Sequence, residues 1–290
     1  MEHPLVVGVD GSESSLQAVD WAADEAARSG VPLRVVHASL WERYESAVPS
    51  VDPDRPSERV LAEHIAASAA ERARLRAPEL KVRADVLPQD AVSALLDRDG
   101  EASALVVGSR GRGAVAALLL GSVSLKVAAR AHCPVFVVRG DRKNLEGELH
   151  RVVVGVSEGE DPSALRFAFA EAEARGCPLH AVTAWRAPAH PDRSSPLMTG
   201  GTKLTEERAA SDLLTEALRE PMEGHPQVVV EREVVEGSAR KALLKAAGAA
   251  DLLVVGAARA RNAPGLQLGS VSHAVLHHAT CPVAVVPRPL

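Results

Sequence analysis

Two stretches of this sequence repeat one another over almost the whole chain, and the repeat limits the fold more than any other feature. VVGVDGSESS at 6–15 returns as VVGVSEGEDPS from Val153, and ALVVGSRG at 104–111 returns as LLVVGAAR at 252–259. LGSVSLKVAARAHCPVFVV at 120–138 returns as LGSVSHAVLHHATCPVAVV at 268–286. Partners lie 148 residues apart in the last two pairs, and 147 apart for Gly8 against Gly155, so the copies differ by small loop insertions. A length of 290 residues therefore divides into two related domains, 1–140 and 150–290. The charged segment 141–149 reads as the linker between them.

Within each copy, short β-branched runs alternate with longer Ala-rich stretches of helical period. The first copy reads as strands at Leu5–Val9, Leu33–His37, Val82–Leu87, Leu105–Gly108 and Pro134–Val138. Helices are expected at Ser14–Ser29, Ser57–Arg76, Asp90–Arg98 and Ser122–Ala131. The second copy repeats the pattern, with Asp161 and Pro162 as N-cap and first-turn residue of its first helix. Apolar strands alternating with helices mean a parallel sheet covered on both faces, so the fold class is α/β, two tandem sandwich domains of five strands each.

Composition narrows the function. Lys and Arg number 33 against 38 Asp and Glu, a net charge of -5, which argues against nucleic-acid binding through a basic surface. Three Phe, three Trp and one Tyr are too few for stacking platforms. The hydrophobic share of 46% is instead Ala, Val and Leu, enough to bury a core. Cys133, Cys177 and Cys281 form an odd set with no close pair, and read as small buried hydrophobes in a reducing compartment. The N-terminus has no basic, then long apolar, leader pattern, and the apolar stretch 114–120 is too short to span a bilayer. The expectation is a soluble cytoplasmic protein with no membrane partner.

The chemistry concentrates after the fourth strand. Gly108-Ser-Arg-Gly111-Arg-Gly113 leaves an apolar strand, and Gly121-Ser122-Val123-Ser124 opens a helix. Glycines let a backbone turn tightly and approach a ligand. N–H groups at a helix start face an anion, and the Ser122 and Ser124 hydroxyls can add donors. Asp10 ends the first strand, at the carboxyl edge where open α/β sheets bind ligands. Its carboxylate suits a ribose hydroxyl, an adenine amino group or a phosphate-bound Mg²⁺.

The spacing G-x2-G-x9-G-S, seen at Gly108, Gly111, Gly121 and Ser122, together with VGVDGS and the closing HCPVFVV, resembles the universal stress protein family over nearly the whole chain, twice. The resemblance implies two α/β domains like those of universal stress proteins and adenine nucleotide alpha hydrolases, with strand order 3-2-1-4-5. It implies ATP, with or without Mg, as the ligand. Gly8, Asp10, Ala38 and Val107 would lie on the nucleoside side. Gly108, Gly111, Gly121, Ser122, Val123 and Ser124 would meet ribose and phosphates. Arg110 and Arg112 either reach the γ-phosphate or stay solvated. The second copy keeps Gly256, Gly269, Ser270 and Ser272, but has Arg259 for the middle glycine and Ser157 for the aspartate. Either Arg259 fills and weakens that site or it clamps phosphate. One tight nucleotide per chain, in the first copy, is expected. Pairing through the fifth strands is implied as well, within the chain as a pseudo-dimer and further as a homodimer.

Other features carry less. His273, His277 and His278 are spaced H-x3-H-H, but Leu125 and Ala129 stand opposite the first two in copy one, which marks a packing face rather than a metal site. Trp41 and Tyr44 either cover the crevice or anchor a surface loop, and the Pro/Gly/Ser-rich stretch 186–202 occupies the same place in copy two. There is no HExxH, no Walker A lysine motif and no nucleophile–base pair. An ATP-binding regulator of the stress response is the first reading. A slow ATPase or nucleotidyl-transfer enzyme, or a ligand-free interaction module, are the alternatives.

Overall fold

The computed structural model describes residues 3–40, 58–111, 120–159, 161–186, 199–257 and 268–288. Its elements fall into two compact units, one built on the elements up to Arg139 and the other on those from Gly140 onward.

The first unit runs β1 (Leu5–Val9), α1 (Glu13–Ser29), β2 (Leu33–Ala38), α2 (Glu58–Arg76), β3 (Val82–Leu87), α3 (Ala91–Leu96), β4 (Ala104–Gly108), α4 (Ser122–Arg130) and β5 (Val135–Val138). All its strands are parallel, in the order β3-β2-β1-β4-β5. The chain steps from β1 to β2 to β3 in one direction, then crosses back to β4 beside β1. Right-handed crossovers therefore put α1 and α2 on one face and α3 and α4 on the other, and these helices pack together in those pairs. The reversal places the ends of β1 and β4 side by side, where β1 registers Val7 against Val106. Past that pair the two chains diverge and open a crevice.

The core explains the scarcity of aromatics. Ala18, Ala22, Ala23 and Ala26 of α1 are fully buried, and α2 buries Ala62, Ala66, Ala69, Ala70 and Ala73. Alanine faces let the helices lie close to the sheet and to one another, and fully buried Leu and Val residues of the strands supply the apolar mass. Each such side chain contributes roughly 1.5–3 kcal/mol relative to exposure. The exposed ion pairs that bridge α1 and α2, Asp20–Arg72 and Asp24–Arg76, are two-pronged, yet contribute at most about 1 kcal/mol each.

The second unit repeats the plan with α5 (Arg142–Leu145), β6 (Val152–Gly155), α6 (Ser163–Arg175), β7 (Leu179–Trp185), α7 (Thr199–Gly224), β8 (Val230–Glu236), α8 (Ala239–Ala247), β9 (Leu252–Gly256), α9 (Ser270–His278) and β10 (Val283–Val286). Its parallel order, β8-β7-β6-β9-β10, is again 3-2-1-4-5. The segment 141–149, whose composition casts it as a linker, carries α5 and is tied into this unit. The Asn144 amide donates to Ala250 O at 2.7 Å, and the buried Asp251 carboxylate accepts from Leu149 N at 3.0 Å.

Most expected element ends lie within one or two residues of the observed ones. The helix expected from Asp90 is shorter, because Asp90 is its N-cap and accepts from Val92 N and Ser93 N at 3.1 and 3.2 Å. The N-cap of α6 is Pro162, one residue on from the expected Asp161, whose carboxylate accepts from Ser163 N at 2.9 Å. All three cysteines are buried. Burial, with the Asp99 charge nearby, pushes the Cys133 thiol up to about 12, so it stays protonated. Among the described residues no helix is long and apolar enough to cross a membrane.

Candidate functional site

At the carboxyl edge of the first sheet, over β1 and β4, lies a cavity of about 400 Å³. Gly8, Asp10, Ala38 and Val107 line it together with Gly108, Gly111, Gly121, Ser122, Val123 and Ser124. These come from β1, β2, β4, the loop after β4 and the start of α4, and the strand reversal brings them to one place.

The first turn of α1 holds Asp10. Ser12 is its N-cap and accepts from Ser15 N at 3.3 Å. The Ser12 hydroxyl and backbone N–H donate to Asp10 Oδ1 at 2.6 and 3.0 Å. Ser15 Oγ donates to Ser12 O at 2.8 Å and accepts from Asp10 N at 3.4 Å. The DGSESS run is thus one hydrogen-bonded knot that fixes the carboxylate at the mouth of the crevice.

The glycines of the loop answer to different neighbours. A Cβ on Gly111 would stand 2.7 Å from Asp10 Oδ2, so loop and carboxylate touch. A Cβ on Gly108 would stand 2.6 Å from the Ser14 carbonyl oxygen, so its smallness is required by α1 rather than by a ligand. Gly121 would make only ordinary contacts, at 3.5 Å or more, and its backbone at φ -63 and ψ 148 suits any residue. Gly8 lies 3.0 Å, by the same measure, from Leu95 Cδ1 on α3.

One bond closes the loop, and one expectation about donors changes. The Gly121 N–H bonds Ser109 O at 2.8 Å and closes the neck of the loop. The buried Ser124 hydroxyl donates to Gly108 O at 2.6 Å, because the third helical position faces back onto β4. Its hydroxyl proton is therefore committed to the protein. The N–H groups of Ser122, Val123 and Ser124, in the first turn of α4, point toward the N-terminal end where an anion is favoured.

The floor of the cavity was not legible from the motif. Val36, Ala91 and Leu95 join Ala38 and Val107 as an aliphatic wall, with Leu120 beside the glycine loop. A signal was present: Gly155 meets Leu243 Cδ1 at 3.0 Å, as Gly8 meets Leu95, so the repeat carries both members of that pair. Arg110 also lines the cavity. Arg112, Gly113, Trp41, Tyr44, Arg259 and most of 186–202 lie outside the described residues.

The second unit places Gly155, Ser157, Ala184, Leu243, Val255 and Ser272 around a cavity of about 70 Å³. Gly256 lines a separate cleft of about 140 Å³ with Ser157, Asp161 and Arg288. Gly269 caps α9, Ser270 begins it, and the Ser272 hydroxyl donates to Gly256 O at 2.9 Å, repeating the Ser124 bond. On the same helix the His273 and His277 rings lie 4.5 Å apart. Among the described residues no group of three or more His, Cys, Asp or Glu gathers where it could hold a metal.

Comparison with known proteins bears on this geometry. The model of the universal stress protein family matches residues 1–139 and again 148–287. A curated universal stress protein of Mycobacterium tuberculosis is 34% identical, over 98% of this chain and 97% of its own. One from Mycolicibacterium smegmatis is 32% identical, over 98% and 97%. The crystal structure of a universal stress protein from Archaeoglobus fulgidus aligns with a TM-score of 0.68 at 20% identity, covering 99% of this chain and 98% of that one.

Proposed function

This chain belongs to the universal stress protein family, and from that premise we propose that it is an ATP-binding regulator of the stress response, with the nucleotide held mainly in the first unit. The observation that carries the reading is the cavity of about 400 Å³ in which the crevice carboxylate, the glycine loop and a helix N-terminus meet. Its parts suit the parts of the ligand. The aliphatic wall of Val36, Ala38, Ala91 and Leu95 accepts a flat base without asking for a hydrogen bond. Asp10, oriented by Ser12, accepts from a ribose hydroxyl or faces a phosphate-bound Mg²⁺. The N–H groups of Ser122, Val123 and Ser124 receive phosphate.

ATP supplies a polyanionic tail and an apolar ring, and the chain supplies the shape that distinguishes their ends. Binding stabilises whichever conformation or assembly holds the cavity in this form, by about 2.7 kcal/mol at a hundredfold excess over Kd. That free energy biases a switch only through differential affinity for its two states.

The test is to denature the purified chain and identify the small molecules released, alongside titration with ATP. About one ATP per chain, or saturable binding of added ATP, is expected. Neither would leave the ligand-free module standing. Gly121→Glu should abolish binding with the melting temperature unchanged, since the position has room for a Cβ and the added carboxylate repels phosphate. Rapid turnover lost on Asp10→Ala would favour the enzyme instead.

A further inference from the structure

The loop after β4 is held at its neck by a residue that does not line the cavity. Ser14, in the first turn of α1, is half-buried and stands outside the residues around the crevice. Its Oγ accepts a hydrogen bond from Arg110 N at 3.2 Å, across 96 residues of sequence. Its main chain lies so close to Gly108 that a Cβ there would meet Ser14 O at 2.6 Å and Ser14 Oγ at 2.8 Å. One residue of α1 thus bonds one end of the tripeptide Gly108–Arg110 and packs closely against the other. The bond from Gly121 N to Ser109 O, at 2.8 Å, closes the same neck from the other side.

We propose that Ser14 is a positioning residue for phosphate recognition, ordering the glycine loop against α1 before a nucleotide arrives. The inference rests on the nucleotide reading above and adds a residue to it. Preorganised backbone donors bind more tightly than ones that must be ordered on binding, because the ordering free energy is spent in folding instead. Ser14 acts on the phosphate end alone. The aliphatic wall belongs to β2, β4 and α3, which Ser14 does not support through any of these bonds.

The second copy gives an internal comparison. Ser14 stands sixteen residues before the C-cap glycine Gly30, and the residue sixteen before the matching C-cap, Gly176, is Glu160. Counted this way, the second copy differs at Ser14 as well as at Asp10 and the middle glycine, while the Gly155–Leu243 pair of the wall persists.

The experiment uses the full chain and its Ser14→Ala and Ser14→Thr variants, with ATP and adenosine as separate probes and hydrogen exchange of the 109–111 amides without ligand. Ser14→Ala should weaken ATP about tenfold, the worth of one well-placed hydrogen bond. Adenosine binding should stay within about twofold, the Arg110 amide should exchange faster, and Ser14→Thr should restore most of both. Equal weakening of ATP and adenosine, or an unchanged Arg110 amide, overturns the proposal. Failure of the unsubstituted chain to bind either probe would overturn the nucleotide reading, and the exchange result would still decide whether Ser14 holds the loop.

Discussion

At the scale of single residues, the glycines of the loop look equivalent in sequence and are not equivalent in space. Gly108 is pressed against main chain, Gly111 against the end of a side chain, and Gly121 against nothing closer than 3.5 Å. Alanine at each position should separate fold from binding. Gly108→Ala must push α1 away from β4 and should cost about 1–3 kcal/mol in denaturant unfolding. Gly111→Ala should leave stability nearly unchanged but displace Asp10, which Ser12 otherwise fixes, and weaken ATP at least tenfold by the scale of one lost charged contact. Gly121→Ala should alter neither. A different order of effects in the paired unfolding and titration curves would show that the loop packs otherwise. The motif spacing revealed that small residues are required here; it could not reveal that Gly108 answers to Ser14 and Ser124 to Gly108, because those partners are far apart in sequence. The contact between Gly111 and Asp10 joins two positions at which the copies differ in sequence, Ser157 and Arg259 standing there in copy two.

At the scale of elements, boundaries were legible where a capping residue marks them. Asp90, Ser12 and Asp161 all act at helix starts, and Gly30 and Gly176 end α1 and α6 in left-handed conformation at φ 69 and 60. What one sequence hides is which helices meet, as in the Asp20–Arg72 pair, since no local pattern encodes a partner 52 residues away. The two N-termini also differ in chemistry. Ser12 caps α1 with a neutral hydroxyl, whereas Asp161 serves α6 with a carboxylate. Hydrogen bonds from Ser163 hold the Asp161 carboxyl below its usual value, aided by the positive charges of Arg288 and Arg166. A depressed native pKa stabilises the fold above the unfolded value, near pH 4, and that stabilisation disappears as pH falls through the native value. The advantage of the unsubstituted chain over Asp161→Asn should therefore be full at neutral pH and shrink steadily in acid. A difference independent of pH, in unfolding curves from pH 7 to 3, would mean the amide caps as well as the carboxylate and the charge is idle.

At the scale of the whole molecule, the two copies share a fold and differ around the crevice. Both units keep the 3-2-1-4-5 order, the serine bond from the last helix to the fourth strand, and the glycine–leucine pair beneath the crevice. These are contacts within each unit that join its last helix to β4 or β9 and its first strand to the helix beneath the crevice. The residues that differ stand around the crevice in the first copy: Asp10 against Ser157 and Gly111 against Arg259, with Ser14 beside them against Glu160. The cavities differ as well, about 400 Å³ at the crevice of the first unit against clefts of about 70 and 140 Å³ at Gly155 and Gly256 of the second. Neither of the smaller clefts reaches the roughly 300 Å³ or more that is usual for a ligand of nucleotide size. Calorimetric titration with ATP should therefore give one tight event per chain, removed entirely by Gly121→Glu. The corresponding change in the second copy, Gly269→Glu, should leave that event unaltered. Two equivalent events, or loss of the tight one on Gly269→Glu, would mean that the second crevice opens to ligand and that its arginine serves as a clamp.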